Sequence, residues 1–358
     1  MGGSWCQVAI AGQIICNGRF STDEDDEKVL NWYKKQYPWL FPDQAWTVVG
    51  KTNEDEDRAT IANITGNGND LVLSNFAFSG NSGYGSYVYN FNDISTWIYY
   101  SYNGTTEITS STIHVTEAKT ARPFLEKNTS SGGYNKMKIK VTGIKDGEIL
   151  KFMSDEDRDN TINIEKDGIY SLPGSDKLYY GFRLSNSTNT YPFNCDITIE
   201  QIPEYEGYLV TDGVDDKVVS AESIAFTDTW TIITDTVFLG KVSVASGILA
   251  SNIFTVYNYQ GSGTIAVAMG DGGSSLRVIT SSIKAFSSDG TIYDAEWNEY
   301  HVEIGTIRAL ERLLKIGTSS NETSYFCQLA FKFLGIYNNQ ILSKEDCIKA
   351  YNYLQTLK

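Results

Sequence analysis

Apolar and polar residues alternate in short runs through most of this chain. LVLSNFAFS (71–79), SGYGSYVYNF (82–91), TWIYYSY (96–102), TEITSSTIHVTEA (106–118), KMKIKVTGI (136–144), GEILKFM (147–153), KLYYGFRLS (177–185) and CDITIEQI (195–202) follow one another, with Gly, Asn, Asp or Pro between them. A period of two puts successive side chains on opposite faces, so each run reads as a strand with one face buried. Many short strands at this spacing predict an antiparallel sandwich or barrel. After Tyr205 the same grammar resumes in GYLV, KVVS, TWTIITDTVF, GILASNIFTVYNY, GTIAVAM, SLRVIT and CQLAFKFLGIYNN.

The period changes to that of a helix in two places. In STDEDDEKVLNWYKKQY (21–37) the apolar residues Val29, Trp32 and Tyr33 fall on one face. Thr22 is placed as N-cap with Asp25 three residues on, acids fill the first turn, Lys34 and Lys35 fill the last, and Pro38 closes it. SKEDCIKAYNYL (343–354) obeys the same rules, with Ser343 in the place of Thr22 and Asp346 in that of Asp25. The likeness extends backwards. An ungapped alignment of 6–33 on 327–354 pairs Cys6 with Cys327, Gln7 with Gln328, Ala9 with Ala330, Ile15 with Ile336, Asn17 with Asn338, Glu24 with Glu345, Lys28 with Lys349 and Asn31 with Asn352. Strand, turn, cap and helix recur in one register, as expected of two copies of one structural unit. An apolar strand such as CQVAIAGQIIC is unstable alone in water. The first copy is therefore expected to dock on the rest of the chain or to complete a sheet elsewhere.

These patterns divide the chain into a strand-turn-helix segment (1–46), an acidic Pro- and Asn-punctuated connector (47–70), a middle β-sandwich (71–204) and a second sandwich (205–358). The expected fold class is mainly β, with two antiparallel β-sandwiches. Composition agrees: 23 tyrosines and 31 glycines in 358 residues suit strands and turns. The net charge of −15 excludes a nucleic-acid groove and electrostatic docking on anionic membrane. No apolar run reaches the length of about 18 residues that a spanning helix needs. The first residues carry no basic stretch typical of a secretory signal. Five cysteines at wide spacing, with no C-x-x-C, read as free thiols of a protein made in a reducing cytoplasm.

From Tyr208 onward, four segments carry a resemblance: VTDGVDDKVV (210–219), IAFTDTWTIITDTVF (224–238), DAEWNEYHVEIG (294–305) and LGIYNNQILSKEDCIKAYNYL (334–354). Together, over about 150 residues, they resemble the laminin-G/concanavalin-A-like lectin superfamily in the form found in bacterial and phage surface proteins. The resemblance implies a jelly roll for 205–358, opened by an Asp-Gly hairpin and closed by a final strand, an Asn turn and a capped helix. It makes 1–46 a remnant of the same closing unit. The texture of NGNDLVLSNFAFSGNSGYGSYVYNF (67–91) and CDITIEQIPEYEGYLVTDGVDDKVVS (195–220) resembles phage and prophage proteins of gut Bacteroidetes. The implied setting is a virion, tail-associated or fibre protein, with other virion proteins or further copies of itself as partners.

Candidate chemistry is sparse. The two histidines, His114 and His301, lie in strand-like runs without a nucleophile motif. Asp155, Asp157 and Asp159 begin like a calcium loop, but Asn160 and Lys166 stand where Gly and Glu belong. Asp212, Asp215 and Asp216 cluster at one turn and are candidate calcium ligands; the simpler reading is that Asp212-Gly213 only makes a hairpin turn. Sugar recognition needs exposed rings beside polar edges, which nominates Tyr257, Tyr259, Trp297 and Tyr300. The expected function is non-enzymatic: a phage virion structural or adhesion protein binding bacterial surface glycan without a cofactor. The alternatives are a capsule-degrading glycoside hydrolase or lyase, and a purely architectural subunit.

Overall fold

The computed structural model describes residues 23–80, 82–85, 91, 97–128, 137–153, 161–172, 179–239, 246–251, 254–258, 265–269, 275–278, 280, 282–305, 311–318 and 326–357. It is mainly β, with two helices, α1 (Asp23–Gln36) and α2 (Lys344–Leu354), among the described residues. Among the described residues the strands form two pairs of antiparallel sheets and one two-stranded ribbon, Ile224–Ala225 with Glu311–Arg312.

The small pair lies wholly between Trp97 and Gln201. One five-stranded sheet runs in the order Thr161–Ile164, Glu148–Met153, Tyr179–Asn186, Leu125–Asn128, Trp97–Tyr99. The other runs Gly168–Leu172, Met137–Thr142, Phe193–Gln201, Thr112–Ala118, Gly104–Ile108. Alternate residues of both, such as Leu150, Phe152 and Phe182 from one and Ile113, Ile139 and Ile199 from the other, meet in a single core. Strand Met137–Thr142 shows the logic: Met137, Ile139 and Val141 are buried while Lys140 and Thr142 face water.

The large pair has eight strands in each sheet. The first sheet is built on Leu329–Asn338, flanked by Trp230–Phe238 on one side and by Tyr205–Val210 and Gln44–Thr47 on the other. The second runs Thr60–Ile61, Leu71–Ser74, Lys217–Ser220, Lys315–Ile316, Ser246–Ser251, Phe254–Asn258, Ile265–Met269, Ser275–Val278. Trp46, Trp230, Phe286 and Phe331 from the first sheet share one core with Leu71, Val218, Phe254 and Val267 from the second. Trp230 sits at the centre, ringed by Phe226, Phe254 and Phe286 at centroid distances of 5.5–5.9 Å.

The outer face of the first sheet is also apolar, because α2 covers it. Cys347, Ala350, Tyr351 and Leu354 of the helix pack on Ala45, Ile233, Phe333 and Tyr337. This explains why Trp230–Phe238 and Leu329–Asn338 are buried along nearly their whole length, without the alternation of a half-wet strand. Ser343 caps the helix as expected, its hydroxyl accepting from the Asp346 amide at 3.2 Å.

The strand pairing corrects the boundaries read from the sequence. Residues 47–70 are not a connector and 71 does not open the middle sandwich. Gln44–Thr47, Leu71–Ser74 and Gly83–Gly85 are strands of the large pair, joined to partners from residue 205 onward, and Thr60–Ile61 pairs with Leu71–Ser74 at the edge of the same pair. Gly85 and Tyr205 are register partners, so the chain leaves and re-enters the large sandwich at neighbouring positions. The small sandwich is an insertion between them. Of the first copy of the repeat, α1 and its lysine-bearing last turn are present as expected. Its strand and Thr22 lie outside the described residues, as does the acidic run 155–160.

Candidate functional site

Loop 211–216 leaves the first sheet after Val210 and enters the second at Lys217, crossing the edge of the large sandwich. The strands on either side of Asp212-Gly213 thus lie in different sheets, and the expected hairpin is not formed. Thr211 anchors the loop. Its fully buried hydroxyl donates to the Cys327 carbonyl and accepts from the Leu329 amide. Gly213 turns the chain at φ 78°, and a Cβ there would meet the Gln328 amide nitrogen at 3.0 Å.

Within this turn the carboxylates are organised by the backbone. Asp212 Oδ1 accepts from the amides of Val214 (2.7 Å), Asp215 (3.3 Å) and Asp216 (3.4 Å). Asp216 Oδ2 accepts from the Asp212 amide at 2.8 Å. Asn75 donates to the Asp215 carbonyl at 3.0 Å, tying the loop to the segment after Leu71–Ser74. Asp216 is 0 % exposed, and its Oδ1 is buried without a hydrogen-bond partner. Burial pushes its carboxyl up to about 7; the Asp212 amide and Ser82 favour the charge, and Asp212 and Asp215 oppose it. One oxygen from each of Asp212, Asp215 and Asp216 lies within 4.8 Å of the others. A carboxylate so placed is costly unless a proton or a cation compensates it. The donors are all oxygens, a set that suits a hard cation; calcium tolerates the irregular geometry of a loop better than magnesium.

Among the described residues the aromatic candidates do not converge. Tyr257 is half-buried on Phe254–Asn258 in the second sheet, and Tyr259 lies outside the described residues. Trp297 and Tyr300 belong to the far end of the first sheet. There Asp294 builds a turn, accepting from the amides of Glu296 (2.9 Å) and Asn298 (2.8 Å) and from the hydroxyl of Tyr300 (3.1 Å). The turn lays Trp297 on Tyr351 of α2, with ring centroids 5.6 Å apart. Trp297 thus packs on α2, and Tyr300 is half-buried against the core of the large pair. His114 is half-buried and paired with Asp196 at 2.8 Å, and His301 is exposed, 4.0 Å from Glu299. Cys195, Cys327 and Cys347 are buried free thiols, and burial pushes Cys195 and Cys347 up to about 12. An open cleft of about 440 Å³ is lined by Thr47, Val49, Gly50, Lys51, Asp55, Ala62 and Ile64, with no ring for a sugar to stack on.

One cluster was not legible in the sequence. Asp235 is 5 % exposed on the outer face of the first sheet, at a bulge in its pairing with Leu329–Asn338. Tyr208 donates to it at 2.9 Å, and burial raises its carboxyl above the ordinary range. Lys332 stands over the Tyr208 ring at 5.3 Å, and Lys284 over Tyr351 at 5.0 Å. In TWTIITDTVF it is one acid among alternating Thr and Ile, and only the arrival of α2 buries it.

No protein-family model matches this chain, and a search of curated proteins finds no match.

Proposed function

We propose that this chain is a non-enzymatic binding and assembly protein whose large sandwich carries a calcium site formed by Asp212, Asp215 and Asp216. The observation that carries this reading is the unpartnered, fully buried Oδ1 of Asp216 beside two further carboxylates. A cation would take up that oxygen and the Asp215 carboxylate together. It would fix the loop joining the two sheets, so folding and binding would be coupled. The wider setting, a phage virion or adhesion protein that meets bacterial surface glycan, is supported by the resemblance of 208–358 and by the abundance of β-structure. In that setting the calcium-held loop end of the sandwich would present the glycan-binding surface.

Titration of the full chain with calcium chloride in a calorimeter tests the site. One ion per chain is expected, and calcium at a hundredfold excess over Kd should raise Tm by about 5–10 °C over the EGTA-treated protein. Asp216→Asn should abolish both the heat and the shift. Wild-type protein that shows neither would overturn the calcium site. A glycan array probed with and without calcium tests the setting; release of reducing ends from capsule would replace it by the hydrolytic alternative.

A further inference from the structure

Two connections cross between the sheets of the large sandwich side by side. Residues 211–216 lead from Tyr205–Val210 in the first sheet to Lys217–Ser220 in the second. Residues 75–82, of which 81 lies outside the described residues, lead back from Leu71–Ser74 in the second sheet to Gly83–Gly85 in the first. The ends of the two are held in register: Ser74 is the partner of Lys217, and Gly83 is the partner of Val210. Two crossovers paired at both ends run along each other. Asn75 joins them, donating its side-chain amide to the Asp215 carbonyl at 3.0 Å.

Ser82 brings the second crossover to the aspartates. It is 3 % exposed, and its hydroxyl is among the groups that favour the charge on Asp216. The local backbone fixes it. Ser79 and Ser82 exchange hydrogen bonds at 2.8 and 3.2 Å, and Ser82 Oγ accepts from the Ala77 amide at 2.9 Å. Gly83 beside it has φ 139°, and a Cβ there would come within 2.9 Å of the Phe78 Cα. Asn75 (φ 70°) and Phe78 (φ 50°) are both left-handed, a conformation that a bulky residue keeps only where its surroundings hold it. Phe76 and Phe78 are held by packing against the core of the large sandwich. A hydroxyl oxygen has two lone pairs, and the Ala77 amide takes one. Calcium takes about six to eight oxygens, so three carboxylates reach the lower figure only if every one binds through both atoms. Asp212 Oδ1 and Asp216 Oδ2 already accept from backbone amides, which leaves room for a further oxygen.

We propose that Ser82 is a further ligand of the Asp212, Asp215 and Asp216 site, lending its hydroxyl oxygen to the cation and so clamping the two crossovers together. This role of Ser82 presupposes that the three aspartates hold calcium. Occupancy then fastens Gly83–Gly85, where the chain leaves for the small sandwich, onto Tyr205–Val210. Two measurements on the full chain test it: calcium titration, and the lifetime of bound terbium luminescence in water and heavy water, which counts metal-bound water. Ser82→Ala should raise the calcium Kd at least about tenfold and admit about one further water to bound terbium. Ser82→Cys keeps an acceptor for the Ala77 amide but offers sulfur to a hard cation, and should do the same. Ser82→Thr keeps the hydroxyl and should match the wild type. Saturating calcium should slow amide exchange at Gly83–Gly85 about tenfold in the wild type and not in Ser82→Ala. A wild type that gives no calcium heat overturns the calcium site itself. Wild-type heat with Kd and water count unchanged in Ser82→Ala and Ser82→Cys overturns the role of Ser82 alone. So does a raised Kd with an unchanged water count, which would make Ser82 a positioning residue.

Discussion

Two aspartates show how one side chain acquires opposite meanings from its surroundings. Asp294 is buried too, and burial alone would raise it, yet hydrogen bonds from Asn298, Glu296 and Tyr300 hold it below the ordinary carboxylate range. Asp235 has two tyrosine hydroxyls and two nearby lysines, and burial still wins, so its carboxyl is raised. A carboxyl raised in the folded state contributes stability that is fully present below its unfolded value near 3.8. That stability is lost as pH rises through the raised value. Asp235→Asn should therefore flatten the fall in unfolding free energy that the wild type shows as pH is raised from that acid limit. Urea melts of both proteins at matched pH check this; parallel curves would assign the slope to other carboxylates.

The helices carry the argument at the scale of elements. α2 is legible because capping and period act within a dozen residues: Ser343, Asp346 and the Cys347–Ala350–Tyr351–Leu354 stripe all do what the sequence pattern requires. Losing the cap in Ser343→Ala should cost about 1 kcal/mol. Tyr351→Ala should cost about 3 kcal/mol, because that ring packs on Phe333 and Trp297 and lies beneath Lys284. Denaturant midpoints with unchanged m-values would report both. Trp297 has the sequence surroundings of a sugar platform, yet its ring packs on a helix more than 40 residues further along the chain. Nothing near Trp297 announces that helix.

The architecture of the whole molecule turns on one pairing. Gly85 and Tyr205 are partners in the first sheet, so the small sandwich can be removed without parting the strands of the large one. A variant with 86–204 replaced by a short glycine linker should fold with its Trp230 core intact. The fragment 205–358, which lacks Gln44–Thr47, Leu71–Ser74 and Gly83–Gly85, should not. Calorimetry of the intact chain should show two transitions, with one kept in the excised variant. A single transition in the intact chain, or an unfolded excision variant, would show that the two sandwiches form one cooperative unit.

Local chemistry wrote the strands, turns, caps and α2 into the sequence, since alternation, turn residues and capping each act over a few neighbouring positions. It also wrote the repeat, and it brought three aspartates together on one turn. Which strand joins which sheet was left to the tertiary structure, because the partners of Gln44–Thr47 and Leu71–Ser74 lie far along the chain. Burial was left to it as well. Asp212, Asp215 and Asp216 look alike in the sequence, and only the crossing of the loop between sheets encloses one of them and strands its oxygen. Periodicity specifies which face of a strand is apolar, and the fold decides what comes to lie against it.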